Sequence, residues 1–304
     1  MKPLNNKNIE NFKSGFIAII GAPNVGKSTL LNQIIGQKIS IISSKPQTTR
    51  NRIMGILHRP SSQIVFWDTP GIHAGTKPLN QKMLETAFAA GENVDLILLM
   101  IDVSHANPTA EKLTLSHVTE KNKAPIFLVL NKIDLIKKHD MLPIIDQWQK
   151  LYPFHAVIPI SALKNIQVQK LVEEMEKFLP VGPPFFPEDY ITDVPERFIA
   201  AEIIREKIFQ KALQEIPYST AVTVDSFKED KKRNRIVIHA SIHVERSSQK
   251  GIIIGNKGSF IKMIRIESEQ DIQKLTGIPV QLHLFVRIQK NWSRDFNSLK
   301  RFGY

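Results

Sequence analysis

Gly21-Ala22-Pro23-Asn24-Val25-Gly26-Lys27-Ser28, followed by Thr29, is the stretch of this chain with the most chemistry in it. It matches G-x-x-x-x-G-K-[ST], a loop that wraps phosphate. Two glycines let successive backbone N–H groups turn inward as an anion nest. A following helix adds partial positive charge at its N-terminus. Lys27 can reach the β- and γ-phosphates of a nucleotide, and the Ser28 hydroxyl can ligate Mg²⁺. Roughly 40 residues on comes Asp68-Thr69-Pro70-Gly71-Ile72. An aspartate ending an apolar strand is placed to hold Mg²⁺ through water, and Gly71 can bring a backbone N–H to a γ-phosphate. Between them, Lys45-Pro46-Gln47-Thr48-Thr49-Arg50-Asn51 is polar, with Pro46 set against helix. Such a loop can close over a nucleotide and offer a threonine to Mg²⁺. Thr49 is the choice over Thr48, which the sequence does not separate from it.

Asn131-Lys132-Ile133-Asp134 bears on the base. A carboxylate accepts two N–H bonds, and guanine offers two adjacent donors. Adenine presents a bare acceptor there, which would leave a buried carboxylate unpaired at a cost of several kcal/mol. Asp134 therefore selects guanine. The Lys132 stem can cover the base face and Asn131 can brace the phosphate loop. A backbone N–H of Ser161-Ala162-Leu163 can meet the guanine O6. Far downstream, Ile252-Ile253-Ile254-Gly255-Asn256-Lys257-Gly258 stands between two helical patterns. Its glycines bare the backbone to a single-stranded RNA phosphate chain, Lys257 adds charge, and the next helix aims its N-terminus at a phosphate.

The elements that position these groups alternate. Apolar strand-like runs at 16–20, 53–57, 63–67, 94–103, 125–130 and 157–160 are interleaved with helical patterns at 29–35, 78–92, 111–121 and 168–178. That rhythm predicts a doubly wound, mostly parallel α/β sheet, with ligands beyond the carboxyl ends of the strands. Residues 179–187 hold four prolines and a glycine and read as a semi-rigid linker. The expected division is a nucleotide-binding domain over 1–180, a Pro-rich linker over 181–195 and a smaller α+β domain over 196–304. In the last, a helix is predicted over 195–214, strands over 220–227 and 235–244 around a charged turn at 228–234, a helix over 259–275, a strand over 280–288 and a final helix over 292–302. Trp292 reads as core.

The chain has 304 residues, no cysteine and a net charge of +12. Disulfides and thiolate metal sites are excluded. The first 14 residues are polar, with Lys2, Lys7 and Lys13, and lack a signal-type apolar run. No stretch approaches the ~20 apolar residues of a membrane span, so a soluble cytoplasmic protein is expected. Residues 228–304 hold sixteen Lys/Arg against seven Asp/Glu, whereas 181–227 hold four against eight. Such concentration points to nucleic acid, with an anionic membrane surface as the alternative.

GAPNVGKS, PQTTRN, DTPG, NKID and SAL, in this order, resemble the five guanine-nucleotide motifs of the translation-factor-type GTPases. The whole chain resembles the Era family of bacterial small-subunit assembly GTPases, and the Ile-Ile-Gly-x-x-Gly region resembles a type II KH domain. The resemblance implies a monomeric GTP-gated switch that uses GTP/GDP and Mg²⁺. Its partners would be the 3′ end of 16S-type rRNA and the small ribosomal subunit, with a weak peripheral contact at the inner membrane. Membrane-associated regulatory GTPase and passive RNA binder with little turnover are the alternatives. Where Ras-like enzymes carry a water-orienting glutamine, this chain has Ile72. Isoleucine cannot hydrogen-bond a water. Catalysis is then expected from backbone groups such as Gly71, from Lys27, and from a K⁺ ion at Asn24.

Overall fold

A computed structural model describes residues 11–43, 45, 47–72, 78–105 and 108–304. Lys2, Lys7, Pro46 and the stretch 73–77 lie outside the described residues. Contacts divide the chain into two compact units. One takes the described residues of 1–40, 49–74 and 83–193, and the other those of 41–48, 75–82 and 194–304.

The first unit is built on a six-stranded sheet in the order β2-β3-β1-β4-β5-β6. Its strands are β1 (Lys13–Gly21), β2 (Ile53–Arg59), β3 (Ser62–Asp68), β4 (Leu96–Asp102), β5 (Ile126–Asn131) and β6 (Ala156–Pro159). Only β2 runs antiparallel to its neighbour; the other pairs are parallel. Strands β4 and β5 are buried throughout, as near-continuous apolar runs in a two-sided sheet must be. Helices α1 (Lys27–Ile35), α2 (Pro78–Ala89), α3 (Pro108–Lys121), α4 (Lys138–Gln149) and α5 (Val168–Phe178) alternate with them. Helix α5 buries Val168, Leu171, Val172 and Met175 along one stripe. Helix α4 has no counterpart in the sequence expectation. Pro143 interrupts its pattern, yet the helix continues through it.

Residues 181–193 run along this unit. Buried Gln63 accepts from the Phe185 and Phe186 N–H groups at 2.6 and 3.0 Å and donates to the Phe186 carbonyl at 2.7 Å. The Ile191 carbonyl takes the Ile56 N–H at 2.8 Å, and the Thr192 hydroxyl donates to the Met54 carbonyl at 2.6 Å. The open edge of β2 is thereby covered.

The second unit has a three-stranded sheet, β7 (Ala221–Asp230), β8 (Arg235–Val244) and β9 (Val280–Ile288), in that order. Strands β7 and β8 are antiparallel, while β8 and β9 are parallel. Strand β7 runs on to Asp230, further than expected, while β8 keeps the expected bounds, so the charged turn shrinks to residues 231–234. Helices α6 (Glu196–Lys211), α7 (Ser247–Ile254), α8 (Ser259–Thr276) and α9 (Phe296–Arg301) complete it. The expected single final helix is instead a 3₁₀ turn, Trp292–Arg294, and then α9. The break falls at Asp295, whose carboxylate accepts the Ser298 N–H at 2.8 Å and so starts a new helix. Trp292 is fully buried and its indole N–H donates to the Ser219 carbonyl at 3.0 Å. The core joins Ile204 and Ile208 of α6 to Ile238, Ala240 and Ile242 of β8 and Ile264 and Ile272 of α8. Residues 41–48 pack within this unit: the Glu206 carboxylate accepts the Ile42 N–H at 2.8 Å, and buried Arg205 donates to the Thr48 carbonyl.

Candidate functional site

All five nucleotide-type motifs fall in the first unit, at or just beyond the carboxyl ends of β1, β3 and β5 and after β6, apart from the part of 45–51 that belongs to the second unit. In a doubly wound sheet this is where ligands bind. Residues 22–26 turn from β1 into α1. Gly26 has φ 102° and lies hard against the Asn131 amide, so a side chain there would be strained and would clash. Asn131 is 2 % exposed and joins two loops. Its amide N–H donates to the Val25 carbonyl at 2.7 Å, and its oxygen accepts the Ala162 N–H at 2.9 Å. The Ile72 N–H donates to the Gly21 carbonyl at 3.2 Å, which sets Gly71 against Pro23. Asn24 is exposed at φ 64°.

Lys27 is buried and donates to the Gly21 and Ala22 carbonyls at 3.0 and 2.9 Å. Burial lowers its pKa to about 8, against the opposing pull of Asp68. Asp68 is fully buried, and burial raises its pKa in spite of Ser28, Lys27 and Ser40. Its Oδ2 accepts the Ser28 hydroxyl at 2.6 Å and the Ser40 hydroxyl at 2.8 Å. The Ser28 and Thr49 hydroxyls meet at 2.8 Å. Thr48 is turned elsewhere, its hydroxyl donating to the Lys45 carbonyl at 2.7 Å. Asp68 Oδ1 is buried with no hydrogen-bond partner. Two hydroxyls and a carboxylate with an orphaned oxygen form a hard-oxygen donor set, which fits Mg²⁺. Thr69 anchors the segment by donating to the Ile19 carbonyl at 2.8 Å, ahead of Pro70.

At the opposite end, Asp134 stands exposed in the 3₁₀ turn Ile133–Leu135, which the Ile133 N–H ties to the Ile160 carbonyl at 3.2 Å. Lys132 has φ 67° and pairs with Asp102 at 2.5 Å. Burial pushes the Asp102 carboxyl up, but Lys132 and Ser104 together hold it below its ordinary value. Ser161 and Ala162 are buried, while Leu163 is 74 % exposed.

Three contributors have no place in the sequence expectation: Asp102, Ser40 and Asn32. Asn32 accepts the Ile39 and Ser40 N–H groups at 3.0 Å each and so aims Ser40 at Asp68. Asp102 closes β4 as Asp68 closes β3, and the same strand-end rule would have found it. Ser40 and Asn32 carry no such signal.

In the second unit, α7 ends at Gly255, which has φ 75° and packs on Phe260, leaving no room for a Cβ. Lys257 has φ 48° and Gly258 φ 77°, and Gly258 caps α8. A left-handed lysine is strained by about 1–2 kcal/mol, and such strain clusters at ligand clamps. Asn256 and Lys257 are exposed, Ile254 is half-buried, and Ile253 is fully buried beneath them. The turn thus offers backbone, one cation and a helix N-terminus to solvent.

The family model for a "50S ribosome-binding GTPase" matches residues 16–132, and the model for a "KH domain" matches residues 215–293. The GTPase Era of Syntrophus aciditrophicus (strain SB) is 51 % identical over 294 residues, covering 96 % of this chain and 95 % of that protein. The chain belongs to the Era family of GTPases. Its activity is accordingly GTP hydrolysis. The Era of Geobacter metallireducens is 52 % identical over 293 residues, covering 96 % of this chain and 98 % of that protein. A solved Era in complex with MgGDPNP and nucleotides 1506–1542 of 16S ribosomal RNA matches with TM-score 0.93 at 42 % identity, covering 96 % of this chain and 99 % of that one. An Aquifex aeolicus Era variant bound to GDP and AlF4⁻ matches with TM-score 0.92 at 41 % identity, with the same coverages. Among the described residues, no helix is long and apolar enough to cross a membrane.

Proposed function

We propose that this Era-family GTPase is a GTP-gated switch that binds the single-stranded 3′ end of 16S-type rRNA through its KH domain and acts in cytoplasmic assembly of the small ribosomal subunit. The observation that carries it is the solved relative that holds MgGDPNP and 16S nucleotides 1506–1542 together, at 42 % identity. The 22–26 turn, Lys27 and the start of α1 take the β- and γ-phosphates. Ser28, Thr49 and Asp68 hold Mg²⁺, which when bound offsets phosphate charge. Asp134 accepts the two guanine donors, Ala162 faces O6, and Asn131 locks the base loop to the phosphate loop.

Hydrolysis is attack of water on the γ-phosphorus with departure of GDP. Lys27 and the Gly71 N–H stabilise charge on the transferred group. Ile72 is 9 % exposed and offers a water no hydrogen bond. Asn24 would supply its amide oxygen to a K⁺ ion, which when bound would offset charge developing on the phosphates; equal turnover in K⁺ and Na⁺ buffers would contradict that role.

Gating is the ordering of the loop around Thr49, whose hydroxyl meets that of Ser28 at 2.8 Å. The expected domains are a GTPase domain over 1–180, a linker over 181–195 and a KH domain over 196–304. Crosslinking in cells with mapping of the bound RNA tests the assignment. Reads concentrated at the 3′ end of 16S rRNA are expected, and reads spread over unrelated RNAs would overturn it.

A further inference from the structure

The β7-β8-β9 sheet has one face packed on α6, α7 and α8, and the other is covered at its His243 end by the C-terminal segment. Ile238, Ala240 and Ile242 of β8 and Leu282 of β9 point into the core. Alternation therefore sends His239, His283, Phe285 and Arg287 to the other face. There the rings are aligned. His239 and His283, register partners, stack with centroids 4.7 Å apart and planes 13° apart. The Phe285 ring lies parallel to His239 within 10°, at 6.3 Å. Phe285 is 49 % exposed. Further along, Phe302 covers His243 at 4.4 Å. The covered histidine is held neutral, chiefly by burial, with Asp225 opposing and with Arg287 and Arg301 both close enough to add to the effect. Arg287 is 61 % exposed at its side chain and reaches Asp225 only at 3.5 Å.

A half-exposed aromatic row beside exposed arginines is the composition of a single-strand platform, in which bases stack and phosphates are neutralised. The local charge fits a polyanion. Residues 281–304 hold five Lys/Arg against one acid, Asp295. Helix α7, which leads into the Gly255–Gly258 turn, packs on edge strand β9 from the core side, so an RNA strand held at the turn reaches the outer face by passing around the β9 edge.

We propose that the outer sheet face at His283, Phe285 and Arg287 is a second RNA contact, which takes a base by stacking on Phe285 and an adjacent phosphate at Arg287. It rests on the RNA reading above. The test measures affinity of the full chain for the 16S segment 1506–1542 by fluorescence anisotropy. Phe285→Ala should bind about tenfold more weakly, Phe285→Tyr should bind like wild type, and Arg287→Gln should flatten the dependence of log K on log salt by about one phosphate. Circular dichroism and GTP turnover should be unchanged in all three, since none touches the nucleotide pocket. Phe285→Ala within twofold of wild type would overturn the proposal, as would Phe285→Tyr as weak as Phe285→Ala. Loss of self-association with unchanged RNA affinity would give the face to a second copy of the chain instead. If wild type fails to bind the RNA at all, the KH reading itself falls.

Discussion

The 22–26 turn and the Gly255–Gly258 turn use the same physics in opposite settings. Each presents backbone N–H groups and a helix N-terminus, with a lysine at hand. At the first turn the lysine is buried and displaced in pKa, an aspartate is fully buried beside it, and Asn131 clamps the loop from behind. At the second, Asn256 and Lys257 stand in solvent with nothing clamped over them among the described contacts. A dry, braced pocket selects one small ligand by leaving wrong ones unpaired. A wet, open turn accepts a polymer whose backbone repeats, and its affinity is largely electrostatic.

The sharpest break between the two comes from Asp134→Asn. It should lower GTP affinity about a thousandfold, recover binding to xanthosine triphosphate, and leave RNA affinity measured without nucleotide unchanged. Unchanged GTP binding would remove the base assignment. The converse variant replaces Gly255 and Gly258 with Asp. RNA affinity should fall by at least about a hundredfold while GTP affinity stays within twofold, because the strain and the added charge fall on the open turn. RNA binding that survives would remove the turn from the RNA site.

Asn131→Ala tests the clamp. It leaves the Val25 carbonyl and the Ala162 N–H without partners, each costing about 1–3 kcal/mol. Nucleotide affinity should fall about ten- to a hundredfold, with lower stability in denaturant titration. A neutral result would mean that the two loops are held by other contacts.

The smallest effect is with pH. Lys27 sits at about 8 in the nucleotide-free pocket, below its ordinary 10.5, because burial disfavours its charge. A bound triphosphate favours the charged form and raises that value. The bound state then carries more protons between the two values, so GTP affinity should fall as pH rises through that window. Calorimetry near pH 8.5 in buffers of different ionisation enthalpy should read proton uptake of a fraction of one proton per site. No uptake would show that Lys27 keeps its charge without ligand.

The dry site was more legible in sequence than the wet one. Fixed spacing betrays a braced loop: Asp68 and Asn131 end the buried strands β3 and β5, and Lys27 and Asp134 lie just past the carboxyl ends of β1 and β5. Thr49 could be separated from Thr48 only in three dimensions, since the two differ in which way the loop turns. Helix α4 was hidden by Pro143, whose helix-breaking signal outweighed a face that tertiary packing of Trp148 rewards. The single helix expected at the end is split because Asp295 caps a new one. The His239–His283–Phe285 row was invisible in sequence because its members lie on two strands joined only by register.

A GTP-gated switch requires that the nucleotide state at the first turn change RNA affinity at the second. The most direct measurement compares affinity for the 16S segment 1506–1542 with Mg²⁺ and GDPNP bound against GDP bound, at one fixed salt concentration. At least about fivefold tighter binding with GDPNP is the predicted result, a difference near 1 kcal/mol. Equal affinity in the two nucleotide states would contradict it and leave two anion sites that share only a chain.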